Sequence, residues 1–313
     1  MNNPLISIVI CCHNRADMLP KTLNSVFSQT YQPVEIIVLD DGSSDSTPEL
    51  MERYSDKIRY YWQENQGVTK TRTNACKFAK GEYIAFMDDD DLMPEGRITT
   101  LYNALNKFPQ AIFATGDFEI IDDNGNLTGK RWLPRQQGQS AKPILYNNGH
   151  EAVLWPHVAA TVHTSLFKRS DGEKINWFNE QYKYASEDKD FFARLGLLGP
   201  IIYVPKVVSL YRRGHDSLTS TSLNSEYEQL LLYKNHILQI PEGNISFKKQ
   251  LQFRLLITLI KIASNKASEN SFSKYEAQKR VNEAFKLISL KDKLRYFWNV
   301  QIKMRIKKLF QIN

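Results

Sequence analysis

The chain has 313 residues, of which 42% are hydrophobic, and it contains five Trp, 15 Tyr and 16 Phe. This length and composition suit one large domain or a catalytic domain with an appendage, and they exclude an intrinsically disordered chain. The net charge of +7 is confined to residues 286–313, which hold eight basic residues and one acid. The rest of the chain is neutral, so we expect no nucleic-acid-binding role.

In the first hundred residues, strand patterns alternate with helix patterns. Residues 5–12 form a short apolar, β-branched run, and apolar positions from Leu19 to Phe27 recur at helical spacing. Further strands are predicted at 34–39, 58–62 and 83–87, and further helices at 46–54 and 74–79. This alternation predicts an α/β fold with a doubly wound, mainly parallel sheet that is covered on both faces.

The pattern loosens beyond Pro94. Asp123-Asn124-Gly125 predicts a hairpin turn, and the prolines and glycines of residues 130–150 indicate a loop. A helix is predicted at 191–198, a strand at 201–210, and only helices from residue 222 onward. We therefore predict a catalytic domain over 1–220, with a nucleotide-binding half (1–100) and an acceptor-binding half (101–220), and a helical C-terminal extension over 221–313.

Polar clusters follow four of the predicted strands, and open parallel sheets bind ligands at the carboxyl ends of their strands. The clusters are His13-Asn14-Arg15, Asp40-Asp41-Gly42-Ser43, the acidic run Asp88-Asp89-Asp90-Asp91, and residues 211–215. Their convergence on one edge of the sheet predicts a functional site there.

The acidic run places four consecutive carboxylates after a buried strand. Their mutual repulsion is relieved if a cation lies among them, and oxygen ligands favour Mg²⁺ or Mn²⁺, which commonly also hold phosphate. The alternative is that one Asp caps the following turn while the others are solvated. Two other acidic pairs are also open to a structural role. Asp40-Asp41 suits a turn before a helix or a nucleotide contact, and Glu187-Asp188 suits a helix N-terminus, which periodicity alone favours, or a general base.

Taken together, these motifs resemble the family 2 glycosyltransferases of the GT-A fold, an inverting family with many bacterial polysaccharide enzymes. Order and spacing match over roughly residues 5–220. The matching segments are Ser7-Ile8-Val9-Ile10 with His13-Asn14-Arg15, residues 40–47, Asn65-Gln66-Gly67 with Arg72-Thr73-Asn74, residues 81–91, Ser186-Glu187-Asp188, and residues 211–215.

The resemblance implies a donor site built from the first half of the chain. Asp41 would face the nucleobase, Cys11 and His13 would line its pocket, and Arg72 would lie near the nucleotide, with Arg212 close by. His13 stands where the family commonly has Tyr, so stacking on the base is not implied.

The resemblance also implies the metal site and the catalytic base. Asp88-Asp89-Asp90 corresponds to the family's DXD motif, in which Asp90 contacts Mn²⁺ or Mg²⁺ and Asp88 supports the donor; the middle position, often Ser, is Asp89 here. His215 corresponds to a histidine that reaches the metal or the diphosphate. Asp188 corresponds to the base.

The implied reaction is inverting transfer of a sugar from a nucleotide-diphosphate donor, with UDP expected from family frequency. The acceptor is expected to be a hydroxyl of a glycan or polyprenyl-diphosphate-linked glycan, in cell-surface polysaccharide synthesis. The alternative is a sugar-nucleotide nucleotidyltransferase, but such enzymes carry a glycine-rich loop after the first strand. Residues 12–16 contain no glycine.

Localisation is predicted from cysteines, termini and the tail. Three cysteines without metal-ligand spacing favour a reducing compartment, and neither a signal peptide nor a membrane span is expected, so we predict a cytoplasmic enzyme. Apolar residues interleave with the basic residues of 286–313, which suits a helix lying on the anionic inner face of the cell membrane. A helix packed on the catalytic domain with a solvated basic face is the alternative.

Overall fold

The computed structural model describes residues 3–132, 142–155, 158–213 and 223–264, together with Asn282 and Lys286. The strands in these residues are β1 (Ile6–Cys12), β2 (Val34–Asp41), β3 (Arg59–Gln63), β4 (Tyr83–Asp88), β5 (Phe113–Ile121), β6 (Leu127–Arg131), β7 (Ile144–Tyr146), β8 (Ser165–Lys168) and β9 (Ile201–Arg212). The helices are α1 (Leu19–Phe27), α2 (Thr47–Glu52), α3 (Val68–Phe78), α4 (Arg97–Lys107), α5 (Gly149–Leu154), α6 (Arg169–Lys174), α7 (Glu187–Gly196), α8 (Leu223–Ile237) and α9 (Ile245–Ser264), with a 3₁₀ turn at Val162–Thr164.

The described strands form one sheet in the order β3-β2-β1-β4-β8-β5-β9-β7, and β6 pairs with the edge of β5. Strands β1 to β4, β5 and β9 run in one direction, while β6, β7 and β8 run against them. Because β8 reverses direction between β4 and β5, the carboxyl ends of β1, β2, β4, β5 and β9 all lie at the same edge of the sheet.

The central strands form because their residues are apolar on both faces. Six of the seven residues of β1 are buried, and so are the last six of β2. Helix α1 covers one face with Leu19, Leu23 and Val26, and its apolar side faces a core that continues into β4 and α4. This buried centre holds the strand ends, and hence the polar clusters, in fixed positions.

Several boundaries differ from those predicted from sequence. The stretch 130–150, expected to be a loop, contains the end of β6, the short strand β7 and the start of α5. Helix α7 begins at Glu187, four residues before the predicted start. The prediction began too late because the polar residues of the first turn show no apolar periodicity. The helix predicted at 46–54 is the shorter α2, Thr47–Glu52, and the Ser46 side chain makes no capping hydrogen bond to it. The predicted turn at 123–125 is confirmed between β5 and β6, where Gly125 has φ +90°.

The chain divides into two compact units. The first comprises Met1–Lys183 and Glu187–Asp216, and the second comprises Tyr184–Ser186 and Ser217–Asn313. Among the described residues of the second, α8 and α9 pack together, and Glu228 accepts hydrogen bonds from the backbone N–H groups of Tyr184 and Ala185.

None of the helices in the described ranges combines the length and hydrophobicity needed to cross a bilayer. The basic tail lies outside the described residues apart from Lys286, and the predicted domain boundaries at 100 and 220 stay predictions.

Candidate functional site

The acidic run leaves the carboxyl end of β4 beside the loop that follows β1. The backbone N–H of His13 donates to Asp89 Oδ2 at 3.3 Å, and Arg15 lies 3.6 Å from Asp89 and 3.8 Å from Asp90. The hydroxyl of Thr22 on α1 lies 2.8 Å from the backbone carbonyl of Asp91. Two of the four predicted clusters therefore meet at this sheet edge.

Asp41 at the end of β2 organises the loop that follows β3. Its carboxylate accepts hydrogen bonds from the side chain of Gln63 at 2.7 Å and from the backbone N–H groups of Gln66 and Gly67, both at 2.9 Å. Its backbone carbonyl lies 2.9 Å from His13 Nδ1. A carboxylate has about four acceptor positions, so the three bonds leave room for one more donor, and the nucleobase contact stays a prediction.

The neighbouring Asp40 is a structural residue. It is fully buried and accepts hydrogen bonds from the backbone N–H of Ser43 at 2.8 Å and from the hydroxyl of Tyr60 at 2.7 Å. Asp40 therefore has the structural role in the turn that was one of the two interpretations of this acidic pair. Asp41 faces the loop after β3, which borders the site.

Arg72 on α3 joins two acidic segments that are far apart in the sequence. One guanidinium nitrogen lies 2.9 Å from Asp88 Oδ1 and another lies 2.7 Å from Glu187 Oε1. Burial disfavours the charge of Arg72, but the carboxylates of Asp88, Glu187 and Asp188 outweigh it and raise the pKa of the guanidinium. This permanently charged bridge fixes the first turn of α7 against the end of β4.

Two carboxyl groups of the site, those of Asp188 and Asp89, have raised pKa values. Desolvation of its partly buried carboxyl raises the pKa of Asp188 to about 7, with Glu187 adding to the rise and Arg72 opposing it. Desolvation and the charge of Asp90 likewise raise the pKa of Asp89 to about 8, against the opposing charge of Arg15. Perturbed acids in a cleft are typical of functional sites.

Arg212 closes the site from β9. Its backbone N–H donates to Asp91 Oδ1 at 2.7 Å, and its guanidinium donates to the backbone carbonyls of Asp90 at 2.7 Å, Asp122 at 2.9 Å and Asp123 at 2.8 Å. These contacts bring the fourth predicted cluster to the acidic run. In this arrangement Arg212 fixes two loops, and its predicted contact with the donor stays a prediction.

Asp91 and His163 complete a group that could hold a metal ion. Ligand atoms of Asp88, Asp91 and His163 lie within 4.8 Å of one another. Asp91 Oδ2 is buried and has no hydrogen-bond partner in the part of the chain described. Burial lowers the pKa of His163 to about 4, so its imidazole is neutral and keeps the lone pair that a metal needs. Two carboxylates and an imidazole fit a divalent cation such as Mn²⁺.

The predicted metal ligands differ from this group. Asp90 lies in the same turn, with its carboxylate 3.8 Å from Arg15, while His215 lies outside the described residues. His163 was missed because nothing in the sequence around it distinguishes a site histidine from a core histidine. Cys11 lies near the end of β1, where burial raises the pKa of its thiol to about 12 and keeps it neutral. Its predicted place in the nucleobase pocket stays a prediction.

Comparison with known sequences gives one family. The model of Glycosyl transferase family 2 matches residues 7–193. An uncharacterised glycosyltransferase of Rickettsia typhi is 31% identical over 237 residues, which are 73% of this chain and 70% of that protein. Glycosyltransferase GlyG of Streptococcus pneumoniae is 26% identical over 70% of this chain and 74% of its own.

Solved structures share the fold. TarS residues 1–349 of S. aureus in complex with UDP-GlcNAc matches with a TM-score of 0.68 at 16% identity, over 92% of this chain and 82% of that one. The mannosyltransferase PcManGT from Pyrobaculum calidifontis, in complex with GDP-Man and Mn²⁺, matches with a TM-score of 0.59 at 15% identity, over 100% and 89%. The predicted GT-A type α/β fold is confirmed.

Proposed function

The chain belongs to glycosyl transferase family 2, and from this membership we propose that it moves a sugar from a UDP-sugar to a hydroxyl of a glycan or lipid-linked acceptor, with inversion. Support for UDP comes from the fold relative that binds UDP-GlcNAc. Family membership sets aside the nucleotidyltransferase alternative. Cell-surface polysaccharide synthesis at the inner face of the membrane is part of the same proposal.

The arrangement of Asp88, Arg72, Glu187 and Asp188 carries this proposal. Arg72 holds the end of β4, where the donor diphosphate binds, against the first turn of α7, which carries the base. Reacting groups must be held within a few ångströms of one another for a displacement to proceed. The ion bridge that Arg72 makes between the two segments supplies that positioning, and the predicted place of Arg72 near the nucleotide is part of the same proposal.

In the reaction, Asp188 accepts the proton of the acceptor hydroxyl while that oxygen attacks the anomeric carbon. The bond from this carbon to the diphosphate oxygen breaks in the same displacement, so the configuration inverts and UDP leaves with the bonding electrons. A pKa of about 7 suits this role, because a base is most effective when its pKa is near the working pH.

A divalent cation, Mn²⁺ or Mg²⁺, fits the acidic run. The family resemblance assigns it to Asp90 and His215, whereas Asp88, Asp91 and His163 form the group whose ligand atoms are close together in the described residues. When bound, such a cation neutralises the charge that develops on the leaving diphosphate. Asp89 and its ion-pair partner Arg15 lie beside this position.

The test is a screen of nucleotide sugars by thermal unfolding and by release of free nucleotide. We expect UDP-sugars to raise the unfolding temperature more than GDP- or CMP-sugars, the rise to increase with Mn²⁺, and EDTA to abolish it. Slow release of UDP without an acceptor is the second expected result. Pyrophosphate release from UTP and a sugar phosphate, without UDP-sugar protection, would contradict the proposal.

A further inference from the structure

Four aromatic rings lie together at the carboxyl ends of β5 and β9. Phe118 stacks on Trp132 with ring centroids 5.6 Å apart, and it makes edge contacts with His163 at 5.1 Å and Tyr211 at 5.6 Å. His163 also stacks on Tyr211 at 5.4 Å. The backbone N–H of Trp132 donates to the carbonyl of Phe118, which holds the indole beside β5.

The outer member of this cluster is open to solvent. Phe118 is buried, whereas 51% of the surface of Trp132 is exposed. The exposed part of the indole is apolar surface in contact with water, and a ligand that covers it gains hydrophobic free energy. One indole is too small for a protein partner, because stable protein interfaces bury about 1,200–2,000 Å².

The position of the cluster separates it from the nucleotide side of the sheet. Strands β4 and β8 lie between β5 and the strands β1 and β2, which carry His13 and Asp41. The cluster nevertheless reaches the site, because His163 lies 3.7 Å from Asp91 and Tyr211 directly precedes Arg212, whose N–H binds Asp91. It thus lies on the side of the acidic run away from the predicted nucleobase contact, at the same sheet edge.

We infer that Trp132 binds a sugar ring of the acceptor by stacking its indole on the ring's C–H face. This inference rests on the proposed function, which requires a carbohydrate acceptor near the acidic run. A pyranose has one face of C–H groups and a rim of hydroxyls, so it needs a flat apolar surface with polar groups at its edge. The exposed Arg213, whose guanidinium lies 5.7 Å from the Tyr211 ring, supplies hydrogen-bond donors at that edge.

The experiment compares Trp132→Ala and Trp132→Phe with the control Trp62→Ala. Trp62 is 55% exposed but lies on β3, the outermost strand of the sheet beside β2 and β1 and far from β5 and β9. The probes are the methyl β-glycosides of glucose, galactose and N-acetylglucosamine, without nucleotide, observed by saturation-transfer NMR. Trp132→Ala should weaken binding of at least one glycoside about tenfold, Trp132→Phe should weaken it less, and Trp62→Ala should have no effect.

Slow hydrolysis of the UDP-sugar in the absence of acceptor separates this inference from the proposed function. It should be unchanged in Trp132→Ala, because the indole lies away from the nucleotide side. Glycoside binding that is unchanged by Trp132→Ala, or equally weakened by Trp62→Ala, overturns the inference, as does a wild-type protein that binds none of the probes. A wild-type protein that binds the glycosides but does not hydrolyse any UDP-sugar overturns the proposed function instead.

Discussion

At the scale of single residues, burial sets the protonation of the site. Arg72 keeps its charge because carboxylates surround it, while desolvation raises the pKa of Asp188 to about 7 and that of Asp89 to about 8. These acids would be ionised at neutral pH if they were solvated. The same packing that positions them therefore makes their ionisation, and the chemistry that depends on it, sensitive to pH near neutrality.

Asp188→Asn should abolish most of the turnover and leave nucleotide binding intact. Removing a general base typically costs 10²–10⁴-fold in rate. In the wild type, kcat should rise with pH through about 7 and then level off, because Asp188 must be ionised to accept the proton. The measurement is UDP release at saturating donor and acceptor across this pH range. Glu180→Gln, which removes an exposed carboxylate close to α7, is the matched control; near-normal turnover of Asp188→Asn would remove Asp188 as the base.

The same variant should be more stable than the wild type at high pH. The folded-state pKa of Asp188 is raised above the unfolded value near 3.8, so its ionisation costs stability progressively as pH rises from about 4 to about 7. The neutral Asn avoids that cost. Its gain in unfolding temperature should be full above pH 7 and absent near pH 4, which also shows that lost turnover is not lost folding.

At the scale of elements, the position of α7 depends on a close contact with α5. Gly149 at the start of α5 and Gly196 at the end of α7 bring the two backbones together. A Cβ added at Gly196 would lie 2.5 Å from the backbone carbon of Gly149 and 2.5 Å from the backbone nitrogen of His150. No flexible side chain can yield there, so the helix that carries Asp188 would have to shift.

Gly196→Ala should therefore destabilise the protein by about 1–3 kcal/mol, as overpacking commonly does. The measurement is urea unfolding followed by circular dichroism, with UDP release measured at a temperature where the variant stays folded. Gly243→Ala is the control, since nothing lies within 4 Å of a Cβ there. Equal stability of the two variants would show that the α5–α7 contact can relax and does not fix the base.

At the scale of the whole molecule, charge is unevenly distributed. The positive excess lies in residues 286–313, and the body that contains the site is neutral. A basic segment interleaved with apolar residues suits a helix lying on an anionic membrane surface, and this stays a prediction for residues 286–313. The predicted lipid-linked acceptor and the predicted membrane contact would then share one location.

Deleting residues 290–313 should release the protein from anionic vesicles. Each basic residue near such a surface contributes about 1 kcal/mol, so wild-type protein should sediment with phosphatidylglycerol vesicles and less in high salt. Neutral phosphatidylcholine vesicles serve as the control, and UDP-sugar hydrolysis checks that the deletion leaves the catalytic body folded. Sedimentation that survives the deletion would contradict the prediction that the tail binds the membrane.

The sequence alone determined the α/β fold and the strand ends at which polar residues gather. Apolar runs of period two or 3.6 are local properties, and parallel strands must bring their carboxyl ends to one edge, so the meeting of His13, Asp41 and the acidic run could be predicted. The sequence alone could not predict which carboxylate forms an ion pair with which basic side chain. The ion bridge from Arg72 to Glu187 joins residues 115 positions apart, and the approach of His163 to Asp91 joins residues 72 positions apart. Only tertiary packing sets those distances, because burial and neighbouring charge, and not residue type, decide the partners and pKa values of such groups.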